Sequence, residues 1–238
     1  MDAIQLIEKD HATVERLFER FERADRREDD AGLKRVAREI VRELSIHAAI
    51  EEQALYPALR RAGGEDAEDD VLEALEEHHL AKLTMLELGE MTPGDERFCA
   101  KVNVLIETVR HHVEEEEHGL LPRLRKAMSP QELRDLGRDL AALKKAAPTR
   151  PHPASPDTPP GNLVTGPVAA VYDRGRDAAR GLAERARERR GEALRRGKGA
   201  VRDAAASARK RVRKAAGRGR GAVTSGSRRY TPERPTVH

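Results

Sequence analysis

The chain has no tryptophan, one cysteine, three phenylalanines and three tyrosines in 238 residues. Each scarcity excludes something. A single thiol, Cys99, can form neither a disulfide framework nor a thiolate-ligated metal site, and it suits a reducing interior. So few aromatic and β-branched residues argue against a sandwich or barrel. No stretch approaches 18 consecutive apolar residues, so no transmembrane helix is expected. The opening Met1-Asp2-Ala3-Ile4 has neither a basic stretch nor an apolar run of the kind that marks a signal peptide. A soluble, cytoplasmic protein is the expectation.

What is abundant is Ala, Leu, Glu and Arg, which favour helices. The net charge of +3 hides two unlike parts. Residues 1–147 hold 23 Lys+Arg against 34 Asp+Glu, a net of −11; residues 148–238 hold 22 against 8, a net of +14. An acidic body with a basic tail points to a polyanion as a partner of the tail, or to the body itself.

Hydrophobic periodicity and stop signals predict four long helices: about Asp2 to Arg26, Ala31 to Ala62, Glu65 to Met91, and Thr92 to Ala127. Thr92-Pro93 reads as an N-cap with Pro at the first helical position. A short fifth helix begins at Ser129, where Ser129-Pro130-Gln131-Glu132 has capping-box spacing. Short connections favour antiparallel neighbours, so the fold class is all-α, an up-down four-helix bundle. Residues 1–147 form that domain. Residues 148–167 carry seven prolines and read as an extended linker without a helix. Residues 168–238 form a basic Ala/Arg-rich tail, helical in part up to about Ala216 and disordered after Gly217.

The halves of the bundle repeat. His47-x3-Glu51-Glu52-x2-Leu55-Tyr56-Pro57 recurs 65 residues later as His112-x3-Glu116-Glu117-x2-Leu120-Leu121-Pro122. Each preceding helix carries its own acidic-His pair, Asp10-His11 and Glu77-His78. The core stripe of the first helix is Ile4, Ile7, His11, Val14, Phe18, Phe21. In the second helix it includes Leu44, His47, Glu51 and Leu55, and in the fourth Val109, His112, Glu116 and Leu120. Geometry therefore assigns imidazoles and carboxylates to the interior. A buried carboxylate needs a compensating positive charge, and no Lys or Arg on these stripes has a claim to that place. A cation would supply it. His and Glu at i, i+4 project from one helix face and reach one centre. Four imidazoles and two carboxylates are too many ligands for one tetrahedral zinc, and they suit two metals sharing carboxylates; imidazole with carboxylate suits iron, manganese or zinc.

Bland readings stand beside this one. In the third helix His78 lies on Val71, Leu75, Ala81, Met85 and Leu88, while His79 lies on Leu72, Leu75, Leu83 and Leu86. Periodicity does not separate them; the echo of Asp10-His11 favours His78. His111 and His118 read as surface residues. Glu52 and Glu117 read as outward-facing, with a contribution from a carboxylate next to a ligand as the alternative. Tyr56 reads first as packing at a helix end, with a donor near the metals as the alternative. Cys99 reads as a small core residue.

His11, His47-x3-Glu51, His78 and His112-x3-Glu116, with their Glu-Glu and Leu-x-Pro flanks, resemble the hemerythrin HHE cation-binding family over about residues 1–127. The resemblance implies a di-iron centre that handles O2 or a related small oxidant. It departs from the invertebrate oxygen carriers at Lys82, where those have a further His, and at Glu116, where those have Asp. With one imidazole fewer, iron sensing or weak peroxide and redox chemistry gains over simple O2 carriage. The basic tail, residues 168–238, has two readings: non-specific binding of nucleic acid through its Lys/Arg clusters, or a solvated extension with no dedicated partner.

Overall fold

The computed structural model describes residues 1–63, 67–158, 161–162, 169–178, 181–182, 185–186, 189–190 and 192. The described residues contain helices and no strand. Their elements are α1 (Ala3–Asp25), α2 (Asp30–Ile50), a π-helical turn (Glu51–Leu55), α3 (Tyr56–Gly63), α4 (Glu68–Glu90), α5 (Phe98–Glu115), a second π-helical turn (Glu116–Leu120), α6 (Leu121–Ala127) and α7 (Pro130–Ala146). No helix among the described residues is long and apolar enough to cross a membrane.

Local chemistry sets the ends. At α1 the Asp2 carboxylate accepts from the Gln5 amide at 2.9 Å, and Gln5 Oε1 accepts from the Asp2 amide. Ser129 and Glu132 form the expected capping box on α7. The Thr92 expectation fails. Thr92-Pro93-Gly94-Asp95 is a β-turn closed by Asp95 N–H to Thr92 O at 2.9 Å, with Pro and Gly at its two central positions. The Asp95 carboxylate also accepts from the Thr92 amide and hydroxyl. The turn consumes the residues read as a helix start, and α5 begins at Phe98.

The second and fourth predicted helices are each broken by a wide turn. Pro57 and Pro122 lack the N–H that an α-helix requires, and their rings crowd the carbonyls four residues back. The residue before each proline bonds five back instead: Tyr56 N–H to Glu51 O and Leu121 N–H to Glu116 O. Such bulges are frequent at functional sites.

Helices α1, α2, α4 and α5 pack pairwise in a ring, α1 on α2, α2 on α4, α4 on α5 and α5 on α1, and α7 lies across α1 and α2. Gly137 lets α7 come close: a Cβ there would stand 2.7 Å from Asp2 C and 2.8 Å from Ala3 N. The core falls into two apolar clusters. One gathers Ile4, Ile7, Ile50, Leu59, Leu124 and Leu140; the other gathers Val14, Phe18, Phe21, Ile40, Met85 and Val102. Along α1 and α4, the buried His lies between the two.

The compact unit extends past the bundle to Ala178. Residues 148–158 carry no helix, and they return to the protein. The Asp173 carboxylate accepts from the Thr149 and Arg150 amides, both at 3.1 Å, and from His152 Nε2 at 3.1 Å. Residues 169–178 are helical. The expectations for the rest of the tail fall largely outside the described residues.

Candidate metal centre

His11 comes from α1, His47 from α2, His78 from α4 and His112 from α5; Glu51 and Glu116 open the two π-helical turns. All six are buried, and both glutamates are at 0% exposure. Ligand atoms of His11, His47, Glu51 and Glu116 lie within 4.8 Å of one another, as do those of Glu51, His78 and His112. The two groups share Glu51. The six sequence-derived candidates thus converge on one layer. His78 turns inward, while His79 is exposed.

Three imidazoles are oriented by carboxylates. His11 Nδ1–H donates to Glu117 at 2.8 Å, His78 Nδ1–H to Glu52 at 3.0 Å and His112 Nδ1–H to Glu77 at 2.6 Å. An ionised carboxylate only accepts, so each Nδ1 carries a proton and each Nε2 turns to the interior, where the neutral ring offers a lone pair. This is how ligating histidines are held. The expected outward placement of Glu52 is therefore corrected: it is buried, with Lys82 Nζ donating to its other oxygen at 2.7 Å. Lys82, which stands where the oxygen carriers have His, holds the carboxylate that holds His78. Glu117 is partly exposed yet reaches inward to His11. The sequence reading missed these three anchors as a set, although Glu77 was visible beside His78.

Tyr56 is buried, and its hydroxyl donates to Glu116 Oε1 at 2.8 Å, 3.3 Å from His78 Nε2. It is a donor at the centre as well as a packing residue. His111 and His118 are exposed. Cys99 is half-buried at the edge of the second apolar cluster.

The electrostatics describe a layer short of positive charge. Burial and the neighbouring Glu116 carboxylate push Glu51 well above the usual carboxylate range. Burial also opposes ionisation of Glu116, yet His112, His11 and His47 hold its carboxyl well below that range. Burial and the other imidazoles press His47 well below its ordinary value. Among the described residues, both Glu51 oxygens, His47 Nδ1 and Nε2, His11 Nε2 and Glu116 Oε2 have no hydrogen-bond partner. Native interiors leave few such atoms unpaired. Here they cluster, they are all hard or borderline donors, and they face one another, so this layer is able to hold cations.

Comparison with known proteins agrees. Residues 2–124 match the hemerythrin HHE cation-binding domain. A hemerythrin-like protein of Schizosaccharomyces pombe is 29% identical over 169 residues, which cover 71% of this chain and 82% of that one. A DNA nickase of a Nostoc species is 26% identical over 144 residues, 60% of this chain but only 39% of the nickase. The crystal structure of an HHE cation-binding domain-containing protein from Mycobacterium kansasii shares the fold, with a TM-score of 0.50 at 22% identity over 61% of this chain and 86% of that one. With a buried His/Glu layer at the heart of the matched segment, this chain belongs to the hemerythrin HHE cation-binding family.

Proposed function

We propose that the protein is a non-haem di-iron protein that senses or processes O2 or a peroxide-type oxidant, with His11, His47, Glu51, His78, His112 and Glu116 as the metal ligands. The observation that carries this reading is the cluster of buried donor atoms on Glu51, Glu116, His11 and His47, where His47 Nε2 stands 3.1 Å from Glu51 Oε1 and His11 Nε2 3.3 Å from Glu116 Oε2 without hydrogen-bond geometry, beside a pair of Nε2 atoms on His78 and His112. Two overlapping donor groups that share Glu51 favour two cations with that carboxylate between them. Imidazole and carboxylate without thiolate suit iron, manganese or zinc, and the hemerythrin likeness favours iron over the other two.

Bound irons would supply reversible electron transfer and open coordination for a small oxidant. The chain's own residues do the rest. Glu52, Glu77 and Glu117 keep three imidazoles turned inward. Two apolar clusters exclude water from both ends of the layer. Tyr56 holds a proton at its hydroxyl, since burial and Glu116 raise it well above the ordinary phenol value, and it offers that proton toward the centre. The lone half-buried cysteine suits a cytoplasmic setting.

The test is metal analysis of protein purified from iron-replete cells. About two irons per chain, with visible absorbance that changes on reduction and on peroxide addition, is the expected result. One zinc per chain, indifferent to oxidant, would overturn the reading.

A second activity is favoured by the charge of residues 148–238 and by the nickase relative. In this reading the basic tail delivers the metal domain to nucleic acid, without reading sequence. Full-length protein should shift duplex DNA at low salt and release it steeply as salt rises. Absence of a shift at low salt sinks that activity.

A further inference from the structure

The segment beyond the matched domain does more than leave the bundle. Asn162, 5% exposed, donates from Nδ2 to the backbone carbonyl of Glu52 at 3.0 Å, inside the first π-helical turn, and to Asp157 O at 3.0 Å. Asp173 gathers the other end through Thr149, Arg150 and His152. Arg150 and Thr149 also bond Asp177, at 2.6 and 2.7 Å. The strap is thus pinned at the turn whose first two residues are Glu51 and Glu52.

Between strap and bundle lies a cavity of about 240 Å³. Tyr56 and Leu75 line it on the bundle side, Glu52 and Arg60 flank it, and Asp157 and Thr158 of the strap form the facing wall. Tyr56 is the link to the centre: one side faces the cavity, and its hydroxyl lies 2.8 Å from Glu116 and 3.3 Å from His78. The other half of the repeat has no equivalent. Leu121 stands 65 residues after Tyr56, is buried in the apolar cluster, and presents no hydroxyl.

We propose that this cavity is the entry chamber through which a small uncharged molecule reaches the centre, and that the strap of residues 148–158, held through Asn162, selects what enters. The inference rests on the metal-centre reading above and deepens it. Charge decides the class of ligand. Arg60 is paired with Glu68 through Nη2 at 2.8 Å, although its buried Nε has no hydrogen-bond partner, and Lys82 is paired with Glu52 at 2.6 Å. The same pairing offsets the charge of Glu52, so Asp157 is the carboxylate of the lining left to face an entrant. An anion would meet like charge there, whereas a neutral molecule of a few heavy atoms would not. Neutral hydrogen peroxide therefore passes and azide does not.

The test uses the full chain and two variants of opposite effect. The double variant Asn162→Ala/Asp173→Ala releases the strap; Thr158→Trp fills the chamber. Hydroxyl-radical footprinting, read by peptide mass spectrometry, reports access to Tyr56 whether or not metal is bound, with exposed Tyr172 as internal reference. The ratio of Tyr56 to Tyr172 labelling should rise at least about fivefold in the double variant. In iron-loaded wild type, peroxide should change the absorbance and azide should not; the double variant should respond to azide, and Thr158→Trp should slow the peroxide response at least about fivefold. Unchanged Tyr56 labelling in a folded double variant overturns the chamber. If the double variant loses its helical circular dichroism, Thr158→Trp decides alone, and an unaltered peroxide rate overturns the proposal. A chain that takes up no iron defeats the metal reading instead, while Tyr56 labelling still reports on the chamber.

Discussion

His78 Nε2 stands 3.1 Å from His112 Nε2, and the other nitrogen of each ring is held by a carboxylate, Glu52 for His78 and Glu77 for His112. With both Nδ1 protons committed outward, the two Nε2 atoms face each other in a buried layer, an arrangement that a proton or a metal cation between them relieves. His78→Ala should therefore lower metal content by at least about one ion per chain, by the ligand count of the shared site. His79→Ala, one residue on and exposed, should leave loading unchanged. Plasma emission spectrometry of both purified variants checks this; equal loading would remove His78 from the ligand set.

The anchoring carboxylates carry their own prediction. Glu77→Gln keeps shape but loses the charge that holds His112 Nδ1–H. Loss of such a partner costs about 10–100-fold in metal affinity. Glu76→Gln, on the exposed side of the same helix, serves as control. Competition against a calibrated chelator measures both, and matched affinities for the two variants would mean that Glu77 orients nothing.

Tyr56→Phe removes one buried hydroxyl and leaves Glu116 Oε1 without that donor. Hydrogen bonds to charged groups are worth about 1.5–3 kcal/mol. The metal-free variant should lose about that much stability in urea titration, with the slope unchanged. A loss near zero would show that the hydroxyl is not engaged.

Two glycines in helices should respond with opposite signs. Alanine is favoured over glycine inside a helix by about 1 kcal/mol. At Gly89 a Cβ would meet nothing within 4 Å, so Gly89→Ala should raise the melting temperature. At Gly137 the same Cβ would strike the backbone of Asp2 and Ala3. Gly137→Ala should therefore destabilise by about 1–3 kcal/mol, the usual cost of overpacking. Thermal melts of the pair test the close approach of α7 to α1; stabilisation by both would refute it.

Cys99 should be a slow nucleophile. Burial and the Asp25 carboxylate beside it push the thiol up to about 11. At pH 8 about one thiol in a thousand is then ionised, and the thiolate is the reactive form. Alkylation of native protein should be slow at pH 8 and accelerate toward pH 11. The unfolded chain, whose thiol titrates near the ordinary 9.0, should react far faster at pH 8. Because the folded value is the higher one, stability falls as pH rises between those two values. Equal alkylation rates in folded and unfolded protein would contradict the shift.

Much of this was legible in the residues. The stripe of α1, from Ile4 through His11 to Phe21, is buried as its period required, and the 65-residue repeat located both carboxylates of the centre. What escaped were features set by single atoms or by tertiary contact. The turn at Thr92 reads as a cap until Asp95 is seen to close it. The prolines at 57 and 122 were noticed as flanks of the repeat, not as the cause of a widened turn. The partnership of Glu52 with Lys82 crosses two helices and has no short-range signature. His78 and His79 could not be separated by period because helix faces overlap by a third of a turn; only packing decides between them.

Each π-helical turn holds more residues per revolution than the helix on either side. Winding residues 51–55 as ordinary α-helix would straighten the rod, and it would swing everything beyond by about 100°. Leu59 would leave the interior for the direction in which Arg60 now points. The flaw is in effect a phase correction, made at the same point in both halves of the repeat. A designer who idealised this backbone would improve the helix and misdirect its far end.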